Sequence, residues 1–202
     1  MLEVELNAAA ENPLIVAGPP PAALPGGNFH AAALALALDG LRAALAQTVS
    51  LVAARVSALL DERFSGLRGW LAADGGASSG AMALEYTAHA AAAEVRMLAT
   101  PAAAQHTSVG GGMESHAAFA APAIGPTGAA LDRYADAVAT ELVLAARAAR
   151  LRGRTPAGSA QRLLLDALGG EPVLEDRPLA GDLERARFVL AGAASGATFR
   201  AA

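Results

Sequence analysis

Side chains able to bind or polarise a small polar molecule gather at three places in this sequence. The first is Glu11-Asn12-Pro13-Leu14-Ile15, which runs through a Pro-rich connector to the second, Gly26-Gly27-Asn28-Phe29-His30. Proline after Asn12 biases that residue away from helical backbone, and the glycines before Asn28 permit positive φ and close backbone approach. Amides and one aromatic ring are therefore expected on loops beside a helix end, where binding groups usually sit. The third is Gly110-Gly111-Gly112-Met113-Glu114-Ser115-His116. A glutamate that follows glycines and precedes a helix is expected to aim its carboxylate into a cavity near a positive helix end. On local physics alone, a turn, an N-cap at Asn28 and a capping or surface Glu114 explain the same residues.

Two further groupings carry less. Gly76-Ala77-Ser78-Ser79-Gly80 has the spacing of a nucleophile elbow, but that motif needs a strand, a turn and a helix in an α/β sheet, and no strands are expected here. Glu85 and His89 fall four apart on one helix face. A second histidine in that helix and a third ligand are missing, so a solvated or interface ion pair is expected rather than a metal.

The elements that must position these groups are helices. Of 202 residues 54% are hydrophobic, while aromatic residues are only 4% and Ile occurs only at Ile15 and Ile124. Alanine dominates, and it is the best helix former, whereas β-branched and aromatic strand formers are scarce. The expected class is all-α, a long-helix bundle. Net charge is −4, and the basic residues are scattered arginines such as Arg42, Arg55 and Arg147, with no Lys. No basic stripe follows a phosphate backbone, so nucleic acid is not an expected partner. Cysteine is absent, which rules out disulfides and thiolate metal sites.

From Asn28 to about Leu60 the apolar residues recur at helical steps. Asp39, Arg42, Gln47 and Arg55 interrupt that run, whereas a spanning helix needs about 20 predominantly apolar residues. A buried helix is expected, not a membrane span. So apolar a helix must be covered by others, which points to oligomerisation. Three parts of one domain are expected: residues 1–27, a loop segment with the Asn-Pro motif and a stiff connector; 28–152, the long-helix bundle; and 153–202, short helices and a tail. Within the bundle a second helix should start near Ser78 or Ser79, either of which can cap it, and end at Ala99. A third should be broken or bent near Pro122 to Pro126 and continue from Thr127 to about Arg152. Trp70, in the Asp61–Asp74 linker, is expected to plug a subunit or helix interface. The opening Met1-Leu2-Glu3-Val4-Glu5 lacks a secretory signal, so a cytoplasmic location is expected. Met1 here suggests a separately translated subunit or an engineered fragment.

The order of the motifs carries a resemblance. Asn7-Ala8 leading to Glu11-Asn12-Pro13-Leu14-Ile15, then Gly26-Gly27-Asn28-Phe29-His30, Gly75 to Met82, Met113-Glu114-Ser115-His116, and Asp176-Arg177-Pro178-Leu179 with Asp182-Leu183-Glu184 together resemble the histidine/phenylalanine/tyrosine ammonia-lyases. The likeness covers almost the whole chain and matches only the carboxyl-terminal portion of that family. It implies part of the helical ammonia-lyase fold, completed by other subunits. It also implies a substrate pocket in which Asn12 holds a carboxylate, Phe29 flanks an electrophile, Met82 and Met113 line the ring site and Glu114 meets the substrate as the catalytic residue. Glutamate rather than glutamine at 114 favours a histidine-like substrate. Met113 and Ser115 depart from the amide and acid usual at those positions, while His116 fits the histidine-lyase pattern. Glu94 matches an acid for which a structural ion pair is expected.

Eliminating ammonia from an aromatic amino acid needs an electrophile to take up the amine and a base for the β-hydrogen. The resemblance implies that the methylidene-imidazolone group (MIO), a catalytic tyrosine and a carboxylate-binding arginine lie on a partner chain carrying the N-terminal part of the fold. Ala194-Ser195-Gly196 has the composition of the MIO-forming tripeptide, but it sits in a Gly/Ala-rich tail expected to fray, so MIO is not expected to form in this chain. The expected protein is the smaller subunit of a split ammonia-lyase, inactive alone, in a hetero-oligomer with a tetramer-like core. An aminomutase subunit or a non-catalytic scaffold or regulatory subunit is the alternative.

Overall fold

The computed structural model describes residues 2–74, 76–118, 120–154, 156–169 and 175–194. The helices are α1 (Leu2–Leu6), α2 (Ala32–Leu60), α3 (Glu62–Ser65), α4 (Met82–Leu98), α5 (Ala120–Leu151), α6 (Ser159–Ala167) and α7 (Ala180–Ala194). The fold is all-α, as the Ala-rich, strand-poor composition requires. Two hairpins are added to it: β1 (Leu14–Val16) with β2 (Ala22–Leu24), and β3 (Thr107–Val109) with β4 (Glu114–Ala117), both antiparallel. The expectation of no strands is corrected here. Leu14-Ile15-Val16 is an apolar, β-branched run, and the prolines that forbid helix between residues 19 and 25 reverse the chain so that Leu14 pairs with Leu24 and Val16 with Ala22.

The chain divides into two compact units, Met1–Ala46 with Val95–Leu131 and Gln47–Glu94 with Asp132–Ala202. In the second, Val56, Leu60, Leu71, Leu84, Val143 and Leu144 form an apolar core joined by alanines from α4, α5 and α7. Arg147, buried in this unit, donates through Nε to the Leu71 carbonyl at 2.8 Å, and desolvation draws its pKa down. Ser78 and Ser79 do not cap α4 as expected, because the helix starts at Met82. They bind Asp176 instead: its carboxylate accepts from Ser78 Oγ at 2.6 Å, Ser79 N at 2.7 Å and Gly80 N at 2.9 Å. These donors hold the Asp176 pKa down at about 2. The next residue, Arg177, pairs with Asp182 at 2.5 Å and lowers its pKa. The motif Asp176-Arg177-Pro178-Leu179 is thus a staple between the start of α4 and α7. Gly80 has φ +57, and a Cβ there would lie 2.8 Å from Ala72 N. Trp70 is exposed, in a left-handed conformation with φ 54.

In the first unit the buried apolar residues are mainly alanines, Ala35, Ala117, Ala123 and Ala130 among them. Asn28 is not the N-cap of α2: residues Asn28–His30 make a separate 3₁₀ turn closed by Ala31 at φ 50, and α2 begins at Ala32. Nor is the third long helix broken near its prolines, because α5 runs unbroken through Pro126. Pro122 lies in the first turn, where a missing N–H costs nothing, and the Ala123 carbonyl accepts from Thr127 Oγ1 at 2.7 Å. α7 extends to Ala194; Ser195, Gly196 and the rest of the tail lie outside the described residues. The stretch Asn28–Leu60 has the length and apolarity of a membrane span, and Asp39 and Arg42 inside it bind backbone at Thr100, Ala102, Ala103 and Ala123.

Candidate functional site

The first unit holds a cavity of about 480 Å³ lined by Asn12, Phe29, His30, Met113, Glu114, Ser115 and His116 with the Pro25-Gly26-Gly27 backbone. One wall is the turn before α2. Asn12 Oδ1 accepts from Gly26 N at 3.1 Å, pinning the end of the connector, and Asn28 Nδ2 donates to the Ala9 carbonyl at 3.4 Å. The Asn12-Pro13 peptide is cis. With its oxygen engaged, Asn12 has its Nδ2 donors left for a ligand.

The other wall is the β3–β4 hairpin. Gly110, Gly111 and Gly112 have φ of 64, 68 and 90, a run that side-chain-bearing residues would resist. It reverses the chain tightly enough to pair Val109 with Glu114. Glu114 therefore lies on a strand, six residues ahead of the helix that was expected to follow it directly. What faces its carboxylate is not a helix end but a side chain, His30 Nε2, at 3.5 Å. His30 is 18% exposed and Glu114 44%, so the histidine is the covered partner and the carboxylate the accessible one. The His30 ring centroid is 4.1 Å from that of Phe29. His106 stacks on His116, itself a lining residue, with centroids 4.5 Å apart.

Four of the residues singled out in the sequence, Asn12, Phe29, Met113 and Glu114, thus line one cavity. Met113 is 92% exposed at its rim. Met82, the fifth, opens α4 in the second unit. Glu85 and His89 both contact Ser57 Oγ, at 2.8 and 2.9 Å, and Glu94 pairs with Arg133 at 3.9 Å. Among the described residues no group of three or more His, Asp or Glu side chains could hold a metal ion. His30 was legible only as the last letter of a motif. Its role as the partner of Glu114 needs a contact across more than eighty residues of sequence, which no local signal carries.

The aromatic amino acid lyase family matches residues 1–169. A histidine ammonia-lyase from Streptomyces coelicolor is 39% identical over 195 residues, which is 94% of this chain and 38% of that protein. The histidine ammonia-lyase structure from Trypanosoma cruzi superposes with a TM-score of 0.88 at 26% identity, covering 98% of this chain and 39% of that one. The tyrosine aminomutase structure from Streptomyces globisporus gives 0.86 at 27% identity, covering 98% and 38%. The chain spans under two fifths of the length of these relatives. With the family matched over most of its length and its helical fold shared, the chain belongs to the aromatic amino acid lyase family.

Proposed function

We propose that this chain supplies the substrate-pocket half of an ammonia-lyase acting on an aromatic L-amino acid with a histidine-like ring, as the smaller subunit of a split enzyme completed by a protein carrying the N-terminal part of the fold. The observation that carries the reading is the cavity uniting Asn12, Phe29, Met113 and Glu114, together with the likeness to histidine ammonia-lyases. In the elimination, the β-hydrogen leaves as a proton, the C–N bond breaks, ammonia departs and a carbon–carbon double bond forms. The Nδ2 donors of Asn12 suit a substrate carboxylate. The exposed carboxylate of Glu114 suits a ring N–H, and the Phe29 face packs against the ring.

A MIO group on the partner would supply the electrophile for the amine. In this chain Phe29 is the residue that would flank it, and its ring, 41% exposed on the cavity wall, fits an apolar contact of that kind. Exposed apolar side chains in the same unit, including Leu2, Val4, Leu6, Ile15 and Leu36, support a further chain packing here.

The test is co-expression with a chain carrying the rest of the fold, followed by size exclusion and an ultraviolet scan for a conjugated acid from His, Phe and Tyr. A mixed oligomer that forms such a product, and loses it in Asn12→Ala and Glu114→Gln, is the expected result. The aminomutase likeness favours one alternative, an aminomutase subunit, which would release a β-amino acid instead. A mixed oligomer whose activity survives both substitutions would overturn the pocket assignment and favour a scaffold.

A further inference from the structure

Asp39 and Arg42 enter the sequence as charged interruptions of an apolar helix, and neither lines the cavity. Arg42 is nonetheless 1% exposed and Asp39 12%. Asp39 accepts from the backbone N–H groups of Ala102 at 3.0 Å and Ala103 at 2.8 Å and pairs with Arg42. Arg42 donates to the Thr100 carbonyl at 3.1 Å, the Ala123 carbonyl at 2.9 Å and Thr127 Oγ1 at 2.8 Å.

These partners have one thing in common. Residues 100–103 are where the chain enters the β3–β4 hairpin, and Ala123–Thr127 open the helix that leaves it. Both roots of the hairpin are therefore tied to one ion pair on α2, the helix that His30 precedes. Packing alone would locate the hairpin poorly, because the buried residues around it are mostly alanines. A buried ion pair is a weak source of stability compared with apolar residues of similar volume, and Arg42 Nε has no hydrogen-bond partner among the described residues. What such a pair does better than leucines is fix two N–H donors and three oxygen acceptors at set distances and angles.

We propose that Asp39 and Arg42 form the positioning node of the cavity, setting the distance between Glu114 on β4 and His30 at the start of α2. The consequence for catalysis rests on the lyase reading above; the spacing itself does not.

The test is amide hydrogen exchange and histidine-ring NMR on the full chain, comparing the wild type with Asp39→Asn, Arg42→Met and Thr127→Val. Exchange at Ala102, Ala103 and the hairpin amides 107–117 should quicken about tenfold to a hundredfold. The His30 ring signals should move towards those of the Glu114→Gln chain, while the amides of Val49–Leu60 stay unchanged. If Arg42→Met fails to fold, Thr127→Val, which removes one acceptor and keeps the shape, carries the same expectation. An unchanged hairpin and His30, or a uniform acceleration over the whole chain, would overturn the proposal. Failure of the lyase reading would show separately, as no product from the wild-type pair, and would leave the exchange result standing.

Discussion

The Nε2 atom of His30 lies 3.5 Å from a carboxylate oxygen of Glu114, so a turn ending at residue 30 and a strand beginning at residue 114 meet across one cavity. The histidine is largely covered and the glutamate is not.

Glu114→Gln keeps the shape of the side chain and removes its charge. In the completed enzyme, product formation should fall about 10²- to 10⁴-fold, the range for losing a positioned acid–base group. Because Glu114 is 44% exposed, stability should move by no more than about 0.5 kcal/mol. Initial rates and a thermal melt of the same preparation check both statements, and a stability loss matching the activity loss would count against the assignment.

Asp176 has a folded-state pKa of about 2, below its ordinary 3.8, because Ser78, Ser79 and Gly80 donate to it. A depressed carboxylate contributes stability that is present in full above the unfolded value and is lost as pH falls through the folded value. The wild type should therefore lose stability between about pH 4 and pH 2, and Asp176→Asn should lose less over that window while being less stable at pH 7. Asp182, lowered by Arg177, keeps part of the acid sensitivity in the variant. Urea midpoints measured at each pH compare the two chains.

Gly80→Ala should destabilise the chain by about 1 to 3 kcal/mol. A Cβ at Gly80 would press on Ala72 N at 2.8 Å, and the backbone there has φ +57. The same substitution at Gly128, where a Cβ meets nothing within 4 Å inside α5, should be neutral or stabilising. The difference in melting temperature between the two variants separates local strain from a general glycine effect.

The helices were legible because alanine propensity and apolar spacing are local properties, and α2 ends at Leu60 as its pattern predicts. Where proline and glycine cluster, the same reasoning erred in both directions. It allowed a break or a bend near Pro122 to Pro126, where α5 runs unbroken, and expected no strands where Leu14–Val16 and Glu114–Ala117 pair with other segments. A proline at position 126 leaves only one helical hydrogen bond unmade, which tertiary contacts can outweigh. Strand pairing is by nature a non-local event.

For this protein the sequence by itself determined the all-α class and singled out Asn12, Phe29, Met113 and Glu114, which line one cavity, since composition, turn formers and motif order are written along the chain. The tertiary structure alone decided which of them meet. It set His30 rather than a helix end against Glu114 and turned Ser78 and Ser79 from caps into donors for Asp176. It also buried Arg42, a charge that composition alone would leave in water. Each of these depends on a hydrogen bond or ion pair between residues far apart in the chain, and such a contact has an energy only once folding has brought both partners within reach.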